Sequence, residues 1–156
     1  MDFQKASIHT LANEKLNEIY LEHQELQVLD ALLAKKPDGS WPWSMLSDWT
    51  LDVSNLMINI SEIVSVCISA YNSEYSFRLM YEQHGYHQLR DKKLTAKDAE
   101  MFAKDAGQQY RIEELVAHEV ADRLKSKEKA VWNLISVTQT RLSSLRAEMS
   151  YSRGQV

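Results

Sequence analysis

Residues 53–71 read VSNLMINISEIVSVCISAY, and this stretch decides the fold class. Val53, Ile60 and Cys67 recur every seven residues. Apolar pairs fill the positions between them: Leu56 and Met57, Ile63 and Val64, Ala70 and Tyr71. A heptad pattern of this kind is typical of helices that pack side by side with a left-handed twist. The stretch therefore predicts a long helix paired with another helix, in the same chain or in a second copy.

Turn-forming residues are scarce along the rest of the chain. The 156 residues include four Gly and two Pro, whereas the two together usually make up about one residue in eight. Apolar residues spaced three and four apart predict helices over residues 7–35, 50–89 and 110–149. A short helix is predicted over residues 95–107, with Thr95 as its N-cap and Asp98 as the acid three positions on.

The predicted fold class is therefore all-α, with three long helices plus one short helix in a coiled-coil-like helical bundle. The bundle is expected to form a single domain over residues 1–156. Helices of thirty to forty residues would be about 45–60 Å long at ~1.5 Å per residue. One chain of this mass does not easily cover so long an apolar stripe, so we expect a homo-oligomer.

The connection predicted over residues 37–49 is rich in tryptophan. Pro37, Asp38 and Gly39 end the first helix, and Trp41, Trp43 and Trp49 follow. Large aromatic side chains in one short loop can cap the end of a bundle. They can also form an exposed surface that docks a protein partner. Both interpretations stay open at the level of sequence.

The charge is unevenly distributed along the chain. The net charge is −4, but residues 1–122 carry 11 Lys and Arg against 20 Asp and Glu, whereas residues 123–156 carry 7 against 2. An acidic body with a basic end favours a polyanion contact confined to that end, or head-to-tail association of subunits. Cations near the C-terminus of a helix also complement its dipole, which explains part of the asymmetry without a partner.

Catalytic and metal-binding patterns are weak. Residues 118–122 imitate the zinc-protease helix motif, but Asp122 replaces the second histidine. His84 and His87 lie three residues apart without a third ligand nearby. The chain has no Gly-rich phosphate loop and no nucleophile elbow, and Cys67 lies in an apolar run. The sequence predicts that the protein is not an enzyme and holds no metal and no cofactor.

The N-terminal residues lack the charged and apolar regions of a signal peptide. Uninterrupted apolar runs stay well short of the ~18 residues that a membrane span requires. The single cysteine excludes an internal disulfide. We therefore expect a cytoplasmic protein without membrane contact.

Two groups of basic residues offer a binding function. One group lies on the last helix: Arg123, Lys125, Lys127 and Lys129. The other lies near a run of tyrosines: Arg78, Arg90, Lys92 and Lys93. Cations beside aromatic rings are what single-stranded nucleic acid requires, for phosphate contacts and for base stacking. The acids Asp91, Asp122 and Glu128 interrupt both groups, so an ordinary solvated surface is the alternative.

The order of these parts resembles a known family. An aromatic and basic patch (residues 75–81) precedes a charged loop, a short Ala-rich helix (residues 98–103), and a final helix through residues 132–135 and 141–146. This arrangement resembles the small helical recombination mediator proteins of tailed bacteriophages, over about residues 53–149. The resemblance implies a ring-forming protein that binds single-stranded DNA and helps to load a recombinase. It would place DNA contacts on Arg78 and on residues 90–93.

The leading hypothesis is thus a non-enzymatic, oligomeric, phage-type protein that binds single-stranded DNA and assists recombinase loading. The alternative is a protein-interaction module, such as a phage structural or host-inhibitor protein. It would dock through the Trp-rich loop and the acidic first helix. Binding that weakens steeply with salt would indicate DNA, whereas exposed tryptophans and indifference to oligonucleotides would indicate a protein partner.

Overall fold

The protein is all-α. The structure, a computed structural model, describes the backbone of residues 2–153 and the side chains of residues 7–152, and this part of the chain contains no strand. Its helices are α1 (Asp2–Glu22), α2 (Gln24–Ala34), α3 (Trp43–Asp91), α4 (Ala96–Ala106) and α5 (Gln108–Arg153). The prediction that the chain is all-α is confirmed. Coiled-coil packing and an oligomeric state stay predictions.

The helix predicted over residues 7–35 is two helices, because the chain breaks at His23. The His23 backbone is extended, with φ −117° and ψ 91°. The Tyr20 carbonyl, near the end of α1, accepts a hydrogen bond from the Gln27 side chain at 2.7 Å. A side chain thus provides a backbone partner across the break. The count of three long helices and one short helix becomes five, since apolar spacing alone continues through His23.

The prediction of a loop over residues 37–49 was wrong for residues 43–49, because α3 already begins at Trp43. The Leu46 amide donates to the Pro42 carbonyl at 3.1 Å, which closes the first turn. Proline suits the start of a helix because its missing N–H would have no partner there. The preceding turn is closed by Asp38, whose side chain accepts from the Ser40 amide at 2.7 Å. Only residues 35–42 connect α2 to α3.

The boundaries around α4 agree with the prediction over residues 95–107. The Thr95 hydroxyl accepts from the Asp98 amide at 3.2 Å, so Thr95 is the expected N-cap. Gly107 closes the other end, its amide donating to the Ala103 carbonyl at 3.0 Å. A Cβ at Gly107 would lie 3.0 Å from the Cγ atom of Glu82. Glycine therefore allows α3 and the end of α4 to approach closely.

The described chain forms two compact units. Unit 1 comprises the chain up to Glu18 together with Ser65–Arg123, and unit 2 comprises Ile19–Val64 together with the chain from Leu124. Each unit therefore takes one part of α1, one part of α3 and one part of α5. Whether the whole chain behaves as a single domain stays a prediction.

The cores of the two units differ in their side chains. The buried apolar residues of unit 2 are mostly large: Leu26, Leu29, Leu46, Trp49, Val53, Met57, Ile60, Ile63, Val64, Leu124, Val131 and Ile135. Among the side chains that the structure describes, those buried in unit 1 are small: Ala12, Ala99, Ala103, Val120 and Ala121. Since the hydrophobic contribution scales with buried apolar area, unit 2 has the stronger core.

By length and composition alone, α3 is apolar enough to cross a membrane. Core helices of water-soluble proteins pass the same test. The apolar residues Val53, Met57 and Ile60 are buried in unit 2, whereas Asn55 and Glu62 are exposed on the same helix. Amides and a carboxylate on the exposed side would be costly in a bilayer. Leu51 and Ile58 are exposed on that same side, so one side of this stretch is buried in unit 2 and the other side is a mixture of apolar and polar residues.

Candidate nucleic-acid interface

The part of α3 in unit 1 carries a row of exposed side chains along one face. Phe77 and Tyr81 are 58% and 43% exposed, and His84 and Gln88 continue the row. Successive steps of four, three and four residues keep these positions on one side of the helix. The Tyr81 ring packs on the Tyr110 ring, with 4.6 Å between centroids, which fixes its orientation.

The row leads toward the basic turn that ends α3. Arg90, Lys92 and Lys93 are all exposed there. Lys93 has φ 65°, in the left-handed region that favours glycine, and its amide donates to the Arg90 carbonyl at 2.9 Å. The Arg90 guanidinium donates to the Leu94 carbonyl at 2.8 Å. Within the described part of the chain, Lys92 and Lys93 form no ion pair, so their charges face solvent.

Arg78 lies in a different environment from the other predicted contacts. Its Nε donates to Glu114, its Nη1 lies 3.0 Å from a Glu82 oxygen, and its side chain is only 16% exposed. The hydrogen bond with Glu114 raises the pKa of Arg78, although partial burial opposes this effect. The guanidinium also lies over the Tyr75 ring, 5.4 Å from its centroid. Arg78 thus neutralises two carboxylates within unit 1, and its contact with nucleic acid stays a prediction.

The basic residues predicted on α5 separate into two faces. Arg123, in unit 1, donates to Glu119 and lies 2.5 Å from the Asn13 side-chain oxygen. Lys127, in unit 2, pairs with Asp30 and donates to the Tyr20 hydroxyl. Burial alone would lower the pKa of Lys127, but these two partners raise it overall.

Lys125 and Lys129, in unit 2, are exposed and form no ion pair among the described residues. They lie one turn apart on α5, so they share one face of the helix. Trp132 follows one turn later and is 43% exposed. The eight predicted cations therefore differ in role: some hold helices together within their unit, and others are exposed without an ion pair among the described residues.

The three tryptophans of the predicted protein-interaction site also separate. Trp49 is 5% exposed, and its Nε1 donates to the Leu32 carbonyl at 3.0 Å. Trp41 is half-buried, whereas Trp43 is 42% exposed. Met45, two positions further on, is 51% exposed. Trp49 therefore belongs to the core of unit 2, and Trp43 remains available to a partner.

No three His, Cys, Asp or Glu side chains of the described residues converge as a metal site would require. The His118 ring packs edge-on against Tyr71, with 4.8 Å between centroids, and its Nδ1 lies 3.5 Å from Asp122. Burial raises the pKa of the half-buried Cys67 thiol, which disfavours the reactive thiolate.

The sequence named the cations of the candidate interface as site residues, and it placed Phe77 and Tyr81 in an aromatic patch (residues 75–81) without assigning them a contact. The spacing of Phe77 and Tyr81, one turn apart, was available as a signal. The sequence did not tell that they are exposed, because other tyrosines of the same stretch pack against residues of unit 1.

No protein-family model, curated protein or solved structure matches this chain.

Proposed function

We propose that this protein binds single-stranded DNA and acts as a non-enzymatic, self-associating accessory to a recombinase. The observation that carries the proposal is the exposed row that starts at Phe77 and Tyr81 on α3 and leads to the cations Arg90, Lys92 and Lys93 at the end of that helix and in the turn after it. The row from residue 77 to residue 91 is about 21 Å long at ~1.5 Å per residue. That length accommodates several nucleotides.

Each half of the row supplies one component of single-strand binding. Aromatic side chains stack on unpaired bases, and each stacked base contributes about 1–3 kcal/mol. Lysine and arginine neutralise phosphates and release counterions. Of the acids on this part of α3, Glu82 is already paired with Arg78, so it opposes the phosphates less. Glu74 and Asp91, at the two ends of the row, form no ion pair among the described residues. Bases inside a duplex would not be open to Phe77 and Tyr81, which favours single strands.

The recombination role is supported by the arrangement of residues 53–149, which resembles the phage mediator proteins. Self-association is supported by the many large apolar side chains left on the surface of one chain. Leu21, Leu51 and Ile58 are 76%, 60% and 68% exposed, for example. Soluble monomers rarely leave so much apolar surface uncovered.

The cationic half is tested by titrating a labelled thirty-nucleotide strand at several salt concentrations. Changing Arg90, Lys92 and Lys93 to Ala together should weaken binding and reduce the log–log salt slope by about 0.7 for each phosphate that is no longer neutralised. A control with Lys35, Lys36 and Lys104 changed to Ala carries the same net charge and should bind like wild type. If wild type does not bind at micromolar protein and low salt, the proposal fails.

The aromatic half is tested by the double change Phe77→Ala and Tyr81→Ala. Affinity for the single strand should fall by roughly tenfold or more, since stacking contributes about 1–3 kcal/mol per base. The salt slope should stay the same, because the cations that neutralise phosphates are all retained. Trp43→Ala, another exposed aromatic, is the control. Equal affinity for duplex and single strand would contradict the stacking arrangement.

A second candidate function is docking of a protein partner, favoured by the exposed Trp43 and Met45 at the start of α3. Tryptophan is a frequent anchor of protein interfaces. The same titration distinguishes the two candidates. Absence of oligonucleotide binding at low salt, together with a solvent-exposed Trp43, would favour docking of a protein partner.

A further inference from the structure

An apolar groove of about 520 Å³ lies within unit 1, between α1, α3 and α5. Its floor is aliphatic: Leu11, Ala70, Ile112 and Val116. Leu11 is 40% exposed although it lies on the apolar stripe of α1. An apolar depression of this size on one chain is a common feature of binding surfaces.

The rim of the groove is acidic. Four glutamates line it: Glu14, Glu18, Glu74 and Glu113. The cation on the rim, Lys15, lies 2.8 Å from Glu18. Glu14 and Glu74 have no ion-pair partner among the described residues. An apolar floor inside a negative rim complements a helix that carries an apolar anchor flanked by cations.

One face of α5 in unit 2 has that composition. Lys125, Lys129 and Trp132 follow one another at intervals of one turn, and all three are exposed. The two lysines form no ion pair within the described chain. Trp132 is 43% exposed on a helix whose Val131 and Ile135 are buried, so the indole projects away from the core of unit 2.

We propose that the Lys125–Lys129–Trp132 face of one copy docks into the acidic-rimmed groove of a second copy. The Trp132 ring would cover Ala70 and Leu11, and the two lysines would pair with the rim glutamates. Tryptophan in a desolvated pocket is the commonest kind of interface anchor, and opposite charges at the rim fix its orientation. This inference rests on the self-association part of the proposed function, and it does not require DNA.

The contact joins two different surfaces of the same chain, so it is heterologous. Heterologous contacts link copies head to tail and continue until the assembly closes or extends. The inference also gives Lys125 and Lys129 a protein partner in place of the DNA phosphates expected from the sequence.

Two substitutions block the two sides of the contact separately. Ala70→Lys places a cation on the exposed floor of the groove, and Trp132→Ala removes the anchor. Ala31→Lys and Phe102→Ala make comparable chemical changes at exposed positions outside every proposed binding surface, and they serve as controls. Wild type and controls should show, by sedimentation, a mass above 18.1 kDa that grows with concentration. Each blocked variant should associate at least about tenfold more weakly.

Mixing the two blocked variants gives the decisive result. The Ala70→Lys copy keeps its α5 face and the Trp132→Ala copy keeps its groove, so a one-to-one mixture should form a dimer that does not extend. Circular dichroism checks that each variant keeps wild-type helicity. If Trp132→Ala does not keep it, the double change Lys125→Glu and Lys129→Glu blocks the same face of α5 without touching the core.

Several outcomes would overturn the inference. A wild-type monomer at 100 µM would do so, and so would variants that associate as wild type does. If Lys125→Glu with Lys129→Glu abolishes DNA binding but leaves the mass of the assembly unchanged, this face of α5 binds nucleic acid instead. All masses are measured without DNA. The test of self-association therefore does not depend on whether the protein binds DNA.

Discussion

At the scale of single residues, the two tryptophans Trp43 and Trp49 show how neighbouring side chains can have opposite roles. They lie six positions apart on α3, which places them on different sides of the helix. Trp49 is buried and donates to the Leu32 carbonyl, which links α3 to α2. Trp43 is 42% exposed and forms no hydrogen bond among the described residues.

We therefore predict different effects from the same substitution. Trp49→Ala should lower the free energy of unfolding by about 3–5 kcal/mol, because it leaves a large cavity. Trp43→Ala should change it by less than about 0.5 kcal/mol, as exposed positions usually do. Urea denaturation followed by circular dichroism measures both. Equal losses at the two positions would mean that Trp43 is also part of the core.

Arg78 makes a second point at this scale. Among the basic residues it stands closest to the tyrosines in sequence, which made it a natural DNA contact. Its guanidinium instead lies between Glu82 and Glu114. Removing one member of such a partly buried group leaves the others uncompensated. Loss of DNA binding by Arg78→Ala would therefore need a stability measurement before it could be interpreted.

At the scale of helices, polar contacts join α1 to α5 within unit 1. Glu119 on α5 lies 2.7 Å from His9 on α1, and Arg123 reaches Asn13. Partial burial alone would raise the pKa of Glu119, but the hydrogen bonds from His9 and Arg123 lower it overall. A carboxyl whose pKa is lower in the folded state stabilises that state above its ordinary pKa of 4.5.

We predict that Glu119→Gln lowers the free energy of unfolding at pH 7 by about 1–2 kcal/mol, as loss of a charge-assisted hydrogen bond usually does. The difference from wild type should shrink as the pH falls below 4.5, because the wild-type carboxyl then becomes protonated and is neutral, like the glutamine amide. Chemical denaturation at several pH values measures this. Glu148→Gln, at an exposed position, is the control. A difference that stays constant down to pH 3 would show that the charge of Glu119 contributes nothing.

At the scale of the whole molecule, the two units are built from different cores. Alanine forms most of the buried core of unit 1, whereas leucine, isoleucine and tryptophan are buried in unit 2. The row at Phe77 and Tyr81 and the acidic-rimmed groove both lie in unit 1. The row and the groove therefore belong to the unit with less buried apolar surface, which is a common association in proteins, whereas the Lys125–Lys129–Trp132 face lies in unit 2.

This difference predicts a gradient of stability along α3. Amides in residues 66–80 should exchange with solvent at least about tenfold faster than amides in residues 51–64, because local opening costs less where less apolar area is buried. Both segments are interior parts of one helix, so secondary structure is matched between them. Hydrogen exchange read by mass spectrometry distinguishes the two. Equal protection would indicate that α3 opens as one cooperative body.

The features that depend on local interactions follow from the residue pattern alone. Scarce Gly and Pro and apolar spacing predicted an all-α chain, and Thr95 with Asp98 predicted the start of α4. Both predictions hold because helix spacing and helix caps involve residues only three or four positions apart. The exposed cations of the turn after α3 were also named from sequence.

Only the tertiary structure decided which side chains are free to bind. Lys127 pairs with Asp30, 97 positions away, whereas Lys125 on the same helix faces solvent. The break at His23 and the burial of Trp49 likewise involve partners on other turns or other helices. Periodicity tells which face of a helix is apolar, but a charge or a ring is available to a ligand only if no distant residue already satisfies it. That pairing is set by packing, since it depends on contacts between residues far apart in the chain.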